Sequence, residues 1–116
     1  SKTGEVLMHG YMNSEALTKS IETREAHYWS RSRKKLWKKG DISGLKQEII
    51  KILVDEDQDC MIIRVNVAGS GASCHVGYKS CFYRVLEDKT NLKFIETEKL
   101  FDPEEVYEGE DNPTIL

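Results

Sequence analysis

The chain has 116 residues, 39% of them hydrophobic, and a formal net charge of -3. That is enough for one compact domain and too little for two of ordinary size. Three cysteines, an odd number, argue against a disulfide framework, and no stretch reads as a signal peptide or as a run of about 20 apolar residues able to cross a bilayer; a reducing cytoplasm and no membrane partner are expected. The charge is segregated. Arg24, Arg31, Arg33, Lys34, Lys35, Lys38 and Lys39 crowd one stretch while residues 96–111 are strongly acidic, and the basic stretch suggests a phosphate-bearing partner. A domain this small builds a deep pocket more easily between two copies than inside one, which favours a homodimer.

In chain order, Thr3-Gly4 has the chemistry of a hairpin turn, so an upstream strand is expected to be missing from a single domain that otherwise runs over residues 1–116. Val6 to Met12 reads as a short strand, and Asn13 or Ser14 caps a helix through Ala16, Leu17 and Ile21 to about Thr23. Ala26 to Ser32 reads as a second strand. Lys34 to Gly44, rich in lysine, glycine, serine and aspartate, has loop chemistry throughout. Lys46 to Val54 and Cys60 to Val67 are runs rich in β-branched residues on either side of the acidic turn Asp55–Asp59, which predicts an antiparallel hairpin. Gly69 to Ser73 forms a small-residue loop, and Ser80 to Leu86 and Leu92 to Glu96 form two more strands around a turn at Asp88 to Asn91. Pro103 opens a short helix through Val106 and Tyr107, and an acidic tail over 97–116 ends loosely from Gly109 to Pro113. About five or six strands and one or two helices make an α+β domain with a mostly antiparallel β-sheet.

Three constellations carry chemistry. Cys74-His75 with Cys81 downstream and Cys60 upstream offers the thiolates and imidazole that zinc prefers. The spacing matches no common zinc finger, and three protein ligands would leave a fourth position for an acidified, hydrolytic water. The competing reading makes Cys60 a small strand hydrophobe and His75 an ordinary loop residue. Asp55, Asp57 and Asp59 alternate like the start of an EF-hand loop. The sixth and twelfth positions hold Cys60 and Asn66 instead of glycine and glutamate. Such oxygens suit magnesium, and equally describe a solvated turn that discourages edge aggregation. Finally, Trp29, Ser30, Arg31, Ser32, Arg33, Trp37, Lys39, Gly40, Ser43 and Gly44 combine bidentate cations, short donors and indole faces suited to a purine nucleotide. The same ingredients also describe a single-strand nucleic-acid patch or a solvated lysine face.

The segments HYWSRSRKKLWKKGDISG (residues 27–44), VDEDQDC (54–60) and ASCHVGYKSCFYR (72–84), with the opening VLMHGYMNSEAL (6–17), follow the order and approximate spacing of the phosphoribosyl-AMP cyclohydrolases. The chain resembles that family over roughly residues 4 to 86. The resemblance implies a hydrolase of histidine biosynthesis that opens the adenine ring of phosphoribosyl-AMP to the formimino carboxamide product. It also implies zinc and magnesium as cofactors, an intertwined homodimer with sites between subunits, and no nucleic-acid partner. By position, Asp55, Asp57 and Asp59 match the magnesium carboxylates, Cys74 and Cys81 two zinc thiolates, and His75 the adjoining histidine. The family's remaining zinc cysteine falls where this chain has Glu56; Cys60 is favoured as a relocated third ligand because thiolate suits zinc better, with Glu56 the runner-up. His75 is the expected proton shuttle, its ordinary pKa lying near neutrality. Too few residues follow Cys81 for the pyrophosphohydrolase domain fused to some members, so a monofunctional chain is expected. The rival readings are a related aminopurine-nucleotide ring hydrolase, and a non-catalytic zinc- or nucleic-acid-binding module on the same fold.

Overall fold

In the computed structural model the described residues are 2–69, 71–74, 76–95 and 98–100. Helix α1 spans Ser14–Thr23. Asn13 is its extended N-cap, and the Asn13 side chain accepts the Ala16 amide at 2.8 Å, which settles one of the donors a helix start leaves unpaired. The helix ends where Arg24 turns left-handed at φ 61° and its amide reaches the Ser20 carbonyl. Ala16 and Ser20 face inward. The Ser20 hydroxyl donates to the Ala16 carbonyl and accepts the His27 amide, each at 2.8 Å, which pins the helix to the strand that follows.

The strands pair as three antiparallel hairpins. β1 (His27–Ser30) faces β2 (Lys35–Lys38) with Tyr28 opposite Trp37 and Trp29 opposite Leu36. β3 (Gln47–Val54) faces β4 (Met61–Val67), with a bulge between Ile49 and Lys51. β5 (Arg84–Leu86) faces β6 (Leu92–Phe94). The first two hairpins are knitted together where the Ala26 amide donates to the Gln47 carbonyl at 2.9 Å and the Ile49 amide to the Arg24 carbonyl at 2.7 Å. Between them lies the main core of Ala26, Tyr28, Ile49 and Val65, flanked by Leu7, Met8, Met12, Trp37, Ile52, Ile63 and Val67. A second cluster gathers Cys74, Val76, Tyr78 and Tyr83 with Cys81 against it. Among the described residues no helix is long and apolar enough to cross a membrane.

The α+β class and the antiparallel pairing agree with the sequence reading, and three details correct it. Residues 6–12 form no strand. Their backbone groups are spent singly on separate elements: the Tyr11 carbonyl accepts the Trp29 amide at 2.6 Å, the Leu7 carbonyl the Cys81 amide at 2.7 Å, and the Val6 carbonyl the Ser80 hydroxyl at 2.7 Å. No ladder arises, yet the segment straps the first hairpin to the cysteine loop. The expected loop 34–44 contains β2, because Leu36 and Trp37 gain a partner strand that outweighs the lysines around them. The sheet is three separate ribbons, with strand 26–32 shortened to His27–Ser30 and strand 80–86 to Arg84–Leu86. The helix expected from Pro103 and the tail from Gly109 lie outside the described residues.

Candidate active site

The cysteine loop is a tight return. The Ser73 amide donates to the Lys79 carbonyl at 2.9 Å, the Cys74 amide to the Tyr78 carbonyl at 3.2 Å and the Gly77 amide to the Cys74 carbonyl at 3.0 Å. This brings Cys81 back to Cys74, close enough for each thiol to shift the other. Contact with Cys81 leads in lowering the Cys74 thiol to about 6, and contact with Cys74 leads in raising Cys81 above the ordinary range. Cys74 is therefore the sulfur favoured as thiolate near neutrality. Stacked Tyr78 and Tyr83 rings, 4.2 Å between centroids, with Phe94 edge-on to both, give this pair an apolar backing.

Lys39 reaches the same place from the end of β2. It is 2% exposed, and its ammonium donates to the Ser73 carbonyl at 2.8 Å. Burial pushes its pKa down, while the charges of Cys81 and Cys74 pull it back up. The Ser73 hydroxyl is buried and finds no hydrogen-bond partner among the described residues.

The β3–β4 tip is organised by Asp55. Its amide donates to the Cys60 carbonyl at 3.1 Å, and its carboxylate accepts the amides of Asp59 at 3.2 Å and Cys60 at 3.1 Å. Gln58 turns left-handed at φ 62° to close the loop. Carboxylate oxygens of Asp55, Asp57 and Asp59 lie within 4.8 Å of one another. Desolvation works to raise Asp55, but the Cys60 amide and the contacts with Asp57 and Asp59 outweigh it and hold the group low. Asp57 is pushed up, first by Asp59 and then by Asp55. Like charges this close resist full ionisation, and a divalent cation relieves that conflict.

The β1–β2 turn carries the basic residues. Arg31, Ser32 and Arg33 are exposed on it, the Ser30 hydroxyl accepts the Arg33 amide at 3.2 Å, and the Arg31 guanidinium lies 3.8 Å above the Tyr11 ring. Such stacking holds the fork in one orientation with its edge free for an anion. Trp29 is half-buried. Trp37 packs against Tyr28, 4.9 Å between centroids, which places that indole on the core. Gly40 and Gly44 close the next loop, the Gly44 amide donating to the Gly40 carbonyl at 2.9 Å and the Ser43 hydroxyl accepting the Leu45 amide.

Two of the three cysteines therefore come together, and the three aspartates come together. Cys60 stays at the exposed hairpin tip beside the aspartates. Among the described residues the aspartate tip is the one group of three ligand atoms within mutual reach, so Cys60 joins no such trio with Cys74 and Cys81 inside one copy. His75 lies outside the described residues. A groove of about 480 Å³ lined by Thr23, Arg24, Glu25, Lys46, Glu48, Asn66, Val67 and Ala68 contains none of the candidate residues. The donor set fits both metals in type: paired soft sulfurs suit zinc, and clustered hard oxygens suit magnesium. Ser73 and Tyr11 escaped the sequence reading. Ser73 adjoins Cys74, a usable signal, whereas nothing local marks Tyr11 as the platform for Arg31.

Comparison with known proteins names the family. Residues 8–83 match the family described as phosphoribosyl-AMP cyclohydrolase. The phosphoribosyl-AMP cyclohydrolase of Methanococcoides burtonii is 51% identical over 107 residues, covering 92% of this chain and 83% of that protein. Its counterpart in Methanothrix thermoacetophila is 53% identical over 106 residues, 91% of this chain and 82% of that protein. The one in Rhodopseudomonas palustris is 50% identical over 109 residues, 90% and 73% respectively. The matched span takes in the first two hairpins, the basic turn, the acidic tip and the thiol pair, and the chain belongs to the phosphoribosyl-AMP cyclohydrolase family.

Proposed function

We propose that the chain opens the adenine ring of phosphoribosyl-AMP by hydrolysis, a step of histidine biosynthesis in the cytoplasm, at a site assembled between two copies. The observation that carries this reading is the tight return at Ser73–Lys79 that brings Cys74 and Cys81 together, with the buried Lys39 ammonium on its Ser73 carbonyl. Family membership supplies the substrate. Cys74 and Cys81 would hold zinc, with Cys60 from the acidic tip of a second copy as third ligand and Glu56 of that tip as the runner-up. Zinc bound there supplies Lewis acidity for hydrolysis near neutral pH. Asp55, Asp57 and Asp59 would hold magnesium, a metal that commonly bridges one or two carboxylates to substrate phosphate. Arg31 and Arg33 grip phosphate oxygens, Ser30, Ser32 and Ser43 add hydroxyl donors, the Gly40 and Gly44 backbone lines the approach, and Trp29 offers its face to the purine. His75 moves the proton.

The homodimer rests on exposed apolar side chains. Ile50, Val54 and Ile62 on the second hairpin are 46%, 56% and 62% exposed, and Leu86, Leu92, Phe94 and Ile95 are exposed on the third. A second copy laid over these faces would bury them.

Two measurements test the reading. Purified protein is expected to consume phosphoribosyl-AMP, to lose that activity when a chelator strips zinc, and to regain it when zinc returns; turnover that survives complete stripping refutes the zinc site, and salt-sensitive binding of single-stranded nucleic acid without turnover favours the non-catalytic module. For the third ligand, Cys60→Ser is expected to lower zinc content and activity together, whereas Glu56→Gln leaves zinc content near normal. The reverse pattern assigns the position to Glu56.

A further inference from the structure

We propose that Lys39 is a positioning residue for the thiol pair: its buried ammonium fixes the backbone next to Cys74 through the Ser73 carbonyl. The inference rests on the reading of Cys74 and Cys81 as metal ligands. Three features of the chain lead to it. First, Lys39 is 2% exposed, with its own amide donating to the Ala26 carbonyl at 3.0 Å, so the side chain starts from a fixed point in the core. Second, its ammonium donates to the Ser73 carbonyl at 2.8 Å, one residue before Cys74. Third, the residue it holds is the one whose amide donates to the Lys79 carbonyl at 2.9 Å, the first bond of the return that carries Cys81 back toward Cys74.

The hydrogen bond gives the role: a buried side chain anchored at both ends holds the Ser73 carbonyl, and with it the start of the cysteine loop, in one place. At 2% exposure the same ammonium faces inward, away from a phosphate arriving by way of the exposed β1–β2 turn. The unpartnered Ser73 hydroxyl beside it supplies a second buried donor to the same place.

Cadmium titration of the full-length protein, followed by the ultraviolet charge-transfer band of thiolate-bound metal, tests this directly. Lys39→Met is expected to weaken cadmium binding about 10–100-fold, the range seen when outer-shell partners of metal ligands are removed. Lys38→Met, which removes the same charge from the neighbouring residue where it pairs with Glu25, is expected to bind as the wild type does. Unchanged cadmium affinity in a folded Lys39→Met protein overturns the proposal, and a raised substrate KM alongside it assigns the lysine to phosphate. If Lys39→Met does not fold, the nitrogen resonance of the Lys39 ammonium in the wild-type protein decides: a shift on adding cadmium supports the role, and an unmoved resonance overturns it. A wild-type protein that binds no cadmium overturns both this role and the zinc reading, whereas wild-type binding matched by the variant overturns this role alone.

Discussion

On the proposed zinc reading, replacing Cys74 or Cys81 by serine is expected to abolish zinc binding and to lower turnover by more than about 100-fold, beyond the range typical of outer-shell losses. The two sulfurs are not independent donors. Their contact holds Cys74 below and Cys81 above the usual thiol range, so removing either sulfur costs one ligand, and removing Cys81 also takes away what lowers the Cys74 thiol. Serine keeps the size and a hydroxyl, but a hydroxyl is a poor zinc ligand at neutrality, so the loss cannot be recovered by small movements. The check is elemental analysis of purified variants together with steady-state turnover. A Cys74→Ser protein that keeps a full complement of zinc and near-normal turnover would remove the thiol pair from the mechanism, while loss of zinc with retained turnover would separate the metal from the reaction.

Gly40→Ala is expected to destabilise the protein by more than about 4 kcal/mol, the level reached only by a few named mechanisms, and to lower the thermal midpoint by more than about 10 °C. At φ 94° the backbone lies where an L side chain is strained, and an added Cβ would sit 2.4 Å from the Lys46 nitrogen and 2.6 Å from its Cα. Both obstacles are backbone, with no flexible side chain to swing aside. Gly44 is the internal control: its φ of 74° is also left-handed, but an added Cβ meets open space, so Gly44→Ala should cost only about 1 kcal/mol of backbone strain. Denaturant unfolding of the two variants checks the contrast, and equal midpoints would show that the close approach at Gly40 is relieved cheaply. Because Gly40 follows Lys39, the folded remnant of Gly40→Ala is also expected to bind metal poorly.

The comparison between sequence and structure turns on range. α1 was legible because its signals are local: Asn13 caps and Ala16, Leu17 and Ile21 recur at helical spacing within one short segment. The β3–β4 hairpin was legible for the same reason, since two β-branched runs flank one acidic turn and pair with each other directly. Residues 6–12 misled because an apolar run states that a segment is buried, not that it finds a neighbour along its whole length; its carbonyls instead serve Trp29, Cys81 and Ser80 one at a time. β2 was hidden by its lysines, because the pairing of Leu36 with Trp29 and of Trp37 with Tyr28 is made with a strand outside the segment.

At the site the division is the same. The residue types and their order, from the basic stretch through the aspartates to the cysteines, were enough to name the family, because metal and phosphate chemistry restricts which side chains can serve and a motif preserves them in line. Which of them meet was settled by packing alone. The return at Ser73–Lys79 joins Cys74 to Cys81, while Cys60 stays at the exposed hairpin tip with the aspartates. It also receives the Lys39 ammonium at the Ser73 carbonyl. Chain order encodes the donors, whereas the distances between donors far apart in the chain depend on how hairpins stack, and no local pattern of residues contains that information.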